Sequence, residues 1–129
     1  MPEQKKIEGL GGNRRLGGKD IELKPGSLVS RLFDNATRIR LRFRHRYEVD
    51  PKYVPILEEH GLIFSGKHPT QPIMQVLELP QEVHPYFLGT QAHPELTSRP
   101  LRPQPMFMGL IRAAMKFAEQ QRRPEPQAV

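Results

Sequence analysis

Arg38-Ile39-Arg40-Leu41-Arg42-Phe43-Arg44-His45-Arg46-Tyr47 is the most regular stretch of the chain, with five arginines at every second place. Successive side chains on an extended strand point to opposite sides. The guanidinium groups therefore share one face, and Ile39, Leu41, Phe43 and Tyr47 line the other. The stretch is read as a strand, and the chain as one built on a sheet.

Towards the N-terminus, residues 19–23 alternate polar and apolar and predict a second, short strand. Pro25-Gly26 signals a turn, after which Ser27 can cap a short helix through Phe33. Residues 1–18 read as loop, punctuated by Gly9, Gly11, Gly12, Gly17 and Gly18 and charged at Arg14-Arg15. Towards the C-terminus, residues 53–60 predict a helix, with Pro55 in its first turn and Gly61 as its stop. Residues 62–66 and 73–79 predict adjacent strands joined through a Pro-containing loop. Residues 86–91 predict another strand, entered through His84-Pro85 and left just before His93. Pro94, Pro100, Pro103 and Pro105 then mark a stiff, turning loop. Residues 105–122 form the clearest helix. Phe107, Leu110, Ile111, Ala114, Phe117 and Ala118 recur at three- and four-residue spacing as one apolar stripe, expected in the core. Strands with interspersed helices give an α/β class. Residues 1–123 are taken as the domain and 124–129 as a disordered tail.

The 129 residues suffice for one domain, and 36% hydrophobic with 26% charged residues suits a globular chain. No apolar run approaches the roughly 20 residues of a membrane-spanning helix. Lys5 and Lys6 lead into Gly-rich sequence rather than a signal peptide, so a cytoplasmic location is expected. The chain has no Cys, which excludes disulfides, thiolate metal sites and thiol nucleophiles from its own residues. Its net charge of +6 permits nucleic acid as a partner. Phe43 and Tyr47 point away from the arginine face, however, and leave it without stacking platforms. Solvation, or pairing with acids on a neighbouring strand, is the preferred reading of the ladder. His60, His68 and His84 are scattered over loops without the spacing of a metal site. His45 on its strand is read as packed or hydrogen-bonded. The Gly-rich start lacks the Gly-Lys-Ser/Thr ending of a phosphate loop.

His93-Pro94-Glu95 directly follows an apolar strand. An imidazole can take a proton from a nucleophile and return it to a leaving group. A carboxylate two residues away can hold the distal ring nitrogen and stabilise the imidazolium, and Pro94 stiffens the backbone between them. A surface turn with a chance pair has the same spacing.

Thr90-Gln91-Ala92-His93-Pro94-Glu95 resembles the Gln-x-His-Pro-Glu signature of class I glutamine amidotransferases, in which His and Glu complete a Cys-His-Glu triad. Three further stretches are similar to the CTP synthase branch of that family. They are Arg44-His45-Arg46-Tyr47-Glu48-Val49, Leu96-Thr97-Ser98-Arg99-Pro100, and Met1-Pro2-Glu3-Gln4 followed by Gly11-Gly12 and Arg15-Leu16-Gly17. The resemblance runs from Met1 to about Met115. It implies the C-terminal portion of the class I amidotransferase fold, a flavodoxin-like three-layer sheet with helices, here incomplete.

In the family, a Cys attacks the carboxamide of L-glutamine, and the released ammonia aminates ATP-activated UTP to give CTP. The resemblance makes His93 the general acid/base, Glu95 its orienting partner and Arg46 a ligand of glutamine. A guanidinium fork suits a substrate carboxylate. It also implies a homotetramer, with ATP and magnesium bound in a synthetase domain and no cofactor held by this segment. The synthetase domain and the Cys-bearing first part of the amidotransferase domain are missing. A fragment, a mis-called start or a gene remnant, inactive alone, is therefore expected. The alternative is a non-catalytic basic module of the same fold, contacting nucleic acid or a protein partner. The chain departs from the family pattern at Asn13-Arg14, at Ala92, where an aromatic residue is commoner, and at Glu82-Val83, which lengthens a turn.

Overall fold

The computed structural model describes residues 15–122. They run through β1 (Arg15–Leu23), α1 (Leu28–Leu32), β2 (Arg38–His45), a 3-10 turn at Pro51–Tyr53 leading into α2 (Val54–Glu59), β3 (Ile63–Lys67), β4 (Met74–Glu78), β5 (Leu88–Thr90), a second 3-10 turn at Pro94–Leu96, and α3 (Pro105–Arg122). The Gly-rich start with its Met1-Pro2-Glu3-Gln4 motif, and the tail expected from Pro124, lie outside these residues. No helix among the described residues is long and apolar enough to cross a membrane.

The arginine ladder is a strand, as its alternation demands. Arg38, Arg40, Arg42 and Arg44 are exposed, whereas Leu41 and Phe43 are buried. The strand ends at His45, so Tyr47, expected on the apolar face, stands outside it and is 80% exposed. The expected loop up to residue 18 also needs correction, because residues 15–18 are already β1. They pair with β2 from Arg15↔His45 to Glu22↔Arg38, satisfying backbone groups that a loop would leave to water. The glycines that suggested a loop serve the strand. A Cβ at Gly18 would stand 2.9 Å from Arg40 Nε. In its absence the Arg40 guanidinium lies across β1, donating to the Gly18 carbonyl at 2.9 Å and to Asp20 at 3.1 Å. Arg38 likewise pairs with Glu22 at 3.1 Å. Two rungs of the ladder are thus neutralised by acids on the neighbouring strand, leaving less free charge for a nucleic acid.

All sheet pairs are antiparallel, in the order β2-β1-β3-β4-β5. The sheet curls until its two outer strands meet, where Ala92, just past β5, bridges Phe43 of β2. Ile21, Leu23, Leu41, Phe43, Val76 and Ala92 are buried within the curl. Val29 of α1 and Met106 of α3 join them. Ser27 caps α1 as expected, its hydroxyl accepting from Ser30 N–H. Gly61 follows α2 with φ +97°, a conformation that favours glycine. Glu82-Val83 is absorbed in an exposed turn closed by bonds from Val83 and His84 N–H to the Pro80 carbonyl.

Glu78, only 3% exposed, accepts from the first backbone N–H groups of α1, at Leu28 (2.8 Å) and Val29 (3.2 Å). It pins the helix to β4 and satisfies donors that helix starts leave open. Glu78→Ala strands both, and is expected to cost about 1–3 kcal/mol. A lower denaturant midpoint at unchanged slope would show it, and an unchanged midpoint would refute it.

α3 has the predicted bounds, but its stripe is not core. Met106 and Gly109 are its buried residues, whereas Phe107, Leu110, Ile111 and Phe117 are 41–54% exposed. The seat is fixed by Gly109, where a Cβ would meet Leu32 at 2.6 Å and Tyr86 at 3.0 Å. The Tyr86 hydroxyl donates to the Met106 carbonyl, and burial, with Glu78 nearby, pushes its pKa up to about 12. Close approach at Gly109 turns the apolar stripe outward. Periodicity identified an apolar side without identifying what it faces.

Candidate active site

The His93 loop begins where the curled sheet closes. Thr90 Oγ1 accepts from Ala92 N–H at 3.0 Å, a local turn that ends β5. Ala92 is 6% exposed and sits against Phe43, at the position where an aromatic residue is commoner in the resembled family. The His93 N–H then donates to the Arg42 carbonyl at 2.9 Å, tethering the histidine backbone to β2. Pro94 is buried and opens the 3-10 turn, which bonds Leu96 N–H to the His93 carbonyl. A turn of this kind brings residues two apart close enough for their side chains to meet.

They do meet: His93 Nδ1 and Glu95 Oε1 are 2.7 Å apart, with the side chains 37% and 57% exposed. The imidazole is held at one nitrogen by a carboxylate and offers Nε2 outward, the arrangement of a general acid/base and its orienting partner. The hydrogen bond from His93, with a lesser one from its own backbone N–H, lowers the Glu95 pKa from its ordinary value. The bond favours the charged carboxylate, so its contribution is present above the ordinary carboxylate pKa. It fades as pH falls through the lowered value. By NMR, Glu95 is expected to titrate below ordinary exposed carboxylates, and His93→Ala to move it back towards their range. Equal midpoints with and without the imidazole would contradict the pairing.

Arg46, the third predicted site residue, lies one residue past β2 and is half-buried. The backbone tether of the His93–Glu95 pair is on the strand that leads to it, at Arg42. His45 is packed as expected. Its ring sits edge-on to Phe43 with centroids 5.5 Å apart, and its Nε2 pairs with Glu48 at 3.2 Å. His60, His68 and His84 each bond nearby backbone through Nδ1. Among the described residues no three His, Asp or Glu side chains gather as metal ligands. Sequence reading missed the Thr90 turn, the Arg42 tether and the Phe43 buttress. Only the first had a local signal, a hydroxyl two residues before the N–H it accepts from.

The family model for glutamine amidotransferase class-I matches residues 2–113. The chain belongs to this family. Among its relatives, the chain is 53% identical over 114 residues to the CTP synthase of Methanopyrus kandleri, covering 88% of this chain and 21% of that one. It is 50% identical over 109 residues to the CTP synthase of Thermobifida fusca, covering 84% and 20%. The chain thus spans about a fifth of the length of the curated relatives it matches. Among solved structures it is similar to the glutaminase domain of Trypanosoma brucei CTPS, determined with bound acivicin. The TM-score is 0.75 and the identity 29%, over 85% of this chain and 43% of that domain. The curled antiparallel sheet with its helices is therefore part of the class I amidotransferase fold.

Proposed function

We propose that this amidotransferase chain supplies the acid–base half of a CTP synthase glutaminase, which hydrolyses L-glutamine to glutamate and ammonia. The reading is carried by the 2.7 Å contact of His93 Nδ1 with Glu95 directly after a strand, in a chain of this family. A Cys thiol, supplied by sequence other than these residues, gives its proton to His93 Nε2, and the thiolate attacks the glutamine carboxamide carbon. The imidazolium returns the proton to the departing nitrogen, releasing ammonia and leaving a thioester. Water, deprotonated by the same nitrogen, cleaves the thioester to glutamate and restores the thiol. Glu95 keeps Nε2 as the working nitrogen throughout and stabilises the imidazolium.

Arg46 is assigned to the carboxylate end of glutamine. ATP and magnesium belong, in this reading, to a synthetase part in which ammonia converts UTP to CTP, within a cytoplasmic homotetramer. The chain alone has no Cys and is expected to be inactive.

The test is glutamate release from glutamine. The chain alone should match the buffer blank, and release should appear when the thiol-bearing part of a related domain is joined to it. Release by the chain alone, abolished by His93→Ala, would refute the assignment of the nucleophile elsewhere.

A further inference from the structure

We infer that Ser98 is a positioning residue of the proposed active site, its hydroxyl clasping the far end of the His93–Glu95 turn to the buried backbone at Gln104. The inference rests on the reading of His93 and Glu95 as an acid–base pair. It gives a task to Leu96-Thr97-Ser98-Arg99-Pro100, a motif that the chemistry above leaves unused. The Glu95 side chain is 57% exposed, and its carboxylate is held by the His93 ring and its own backbone N–H. A side chain so open to water is placed by its backbone, so whatever fixes the turn fixes the pair.

At its near end the turn is tethered by the His93 N–H to the Arg42 carbonyl. At its far end the Pro94 carbonyl accepts from Thr97 N–H at 3.1 Å, Ser98 N–H at 3.0 Å and the Thr97 hydroxyl at 3.3 Å. These bonds all lie within one short 3-10 turn, whose hydrogen-bond geometry is poor and whose opening costs little. Ser98 adds a tie from outside it. Its Oγ accepts from Gln104 N–H at 3.1 Å, six residues on. The residues between double back through reciprocal backbone bonds of Arg99 and Arg102. Gln104 is a firm anchor, only 4% exposed. Its Oε1 accepts from Met106 N–H at 2.7 Å and its carbonyl from Phe107 and Met108 N–H. Met106 lies in the same buried cluster as Ala92, the residue before His93. The chain thus makes a closed circuit, from Ala92 through the catalytic turn and Ser98 to Gln104, Met106 and back. Ser98 Oγ is the link that one substitution opens without removing any apolar core volume.

The experiment follows Gln104 amide exchange and the Glu95 titration by NMR in the intact chain, with its own sequence, with Ser98→Ala and with Ser98→Thr, which keeps the hydroxyl. The Gln104 N–H should exchange slowly in the native chain and faster in Ser98→Ala. The Glu95 midpoint, lowered chiefly by the His93 bond, should rise towards the ordinary range in Ser98→Ala and stay low in Ser98→Thr. In an enzyme that joins the chain to the thiol-bearing and synthetase parts of a CTP synthase, Ser98→Ala should lower kcat with glutamine roughly ten- to a hundredfold, the scale for a misplaced catalytic group. Glutamine KM and the ammonia-dependent reaction should hold, and Ser98→Thr should restore turnover. A native Glu95 midpoint and native kcat in Ser98→Ala would confine Ser98 to capping and overturn the inference. So would a freely exchanging Gln104 amide in the native chain, a measurement that needs no variant to fold. A Glu95 midpoint that moves in Ser98→Ala, while His93→Ala leaves glutamine turnover unchanged, would sink the functional reading and leave the hold of Ser98 on the pair standing.

Discussion

His93→Ala is expected to lower glutamine-dependent CTP formation by about 10²–10⁴-fold, the range for a positioned general acid/base. This holds for an enzyme in which the chain is joined to the thiol-bearing and synthetase parts of a CTP synthase. Ammonia-dependent CTP formation should persist, because free ammonia needs neither thiol activation nor a proton for a leaving group. Glu95→Gln preserves shape but replaces an acceptor with an amide that can present the wrong partner to Nδ1, so it too should slow glutamine use. The double mutant should be scarcely slower than His93→Ala. Glu95 acts only through the imidazole, and residues that work as one unit are far from additive. Losses that simply multiply would show that the 2.7 Å contact is not a catalytic relay. Collapse of the ammonia reaction as well would show that the loop holds the structure together instead.

The part of this site legible in the sequence is the part made by neighbours. His93, Pro94 and Glu95 lie within one short turn, so residue type and spacing were enough to foresee their contact. Ser27, Pro55 and Gly61 placed the helix ends for the same reason: caps and stops act over a few residues. The arginine ladder was legible as a strand because period-two alternation is a local property. What it packs against is not local. The pairing that draws residues 15–18 into β1 depends on β2, and the meeting of Ala92 with Phe43 joins opposite edges of the sheet. Nothing near either residue announces the other. α3 shows the limit most clearly, since its stripe predicted a helix correctly and its environment incorrectly. The periodicity was sound, but the contact at Gly109 decided which side was covered.

Phe43→Ala tests whether that non-local closure positions the site. Phe43 is 2% exposed and bridges Ala92, one residue before His93. It also carries the ring of His45 edge-on. Removing a buried aromatic ring loses its transfer free energy and leaves a cavity, together about 3–5 kcal/mol. That is a large fraction of the roughly 5–15 kcal/mol by which domains are stable. Phe43→Leu fills most of the space and should cost clearly less. In the joined enzyme the denaturation midpoint of the glutaminase part should therefore fall strongly for Ala and modestly for Leu. If Phe43 only fills the core, glutamine turnover per folded molecule should be unchanged in Phe43→Leu. If it also buttresses the histidine loop, turnover should fall in Phe43→Leu at a temperature where that variant is fully folded. The Glu95 titration should then move back towards its ordinary range, because a displaced His93 loses the hydrogen bond that lowers it. The structure predicts the second pattern, since Phe43 and Ala92 face each other across the backbone bridge and share one buried cluster, so a smaller side chain at 43 loosens the packing beside His93 even though the bond to the Arg42 carbonyl is kept. Full turnover with an unshifted Glu95 in Phe43→Leu would confine Phe43 to stability and leave the Arg42 tether to orient His93.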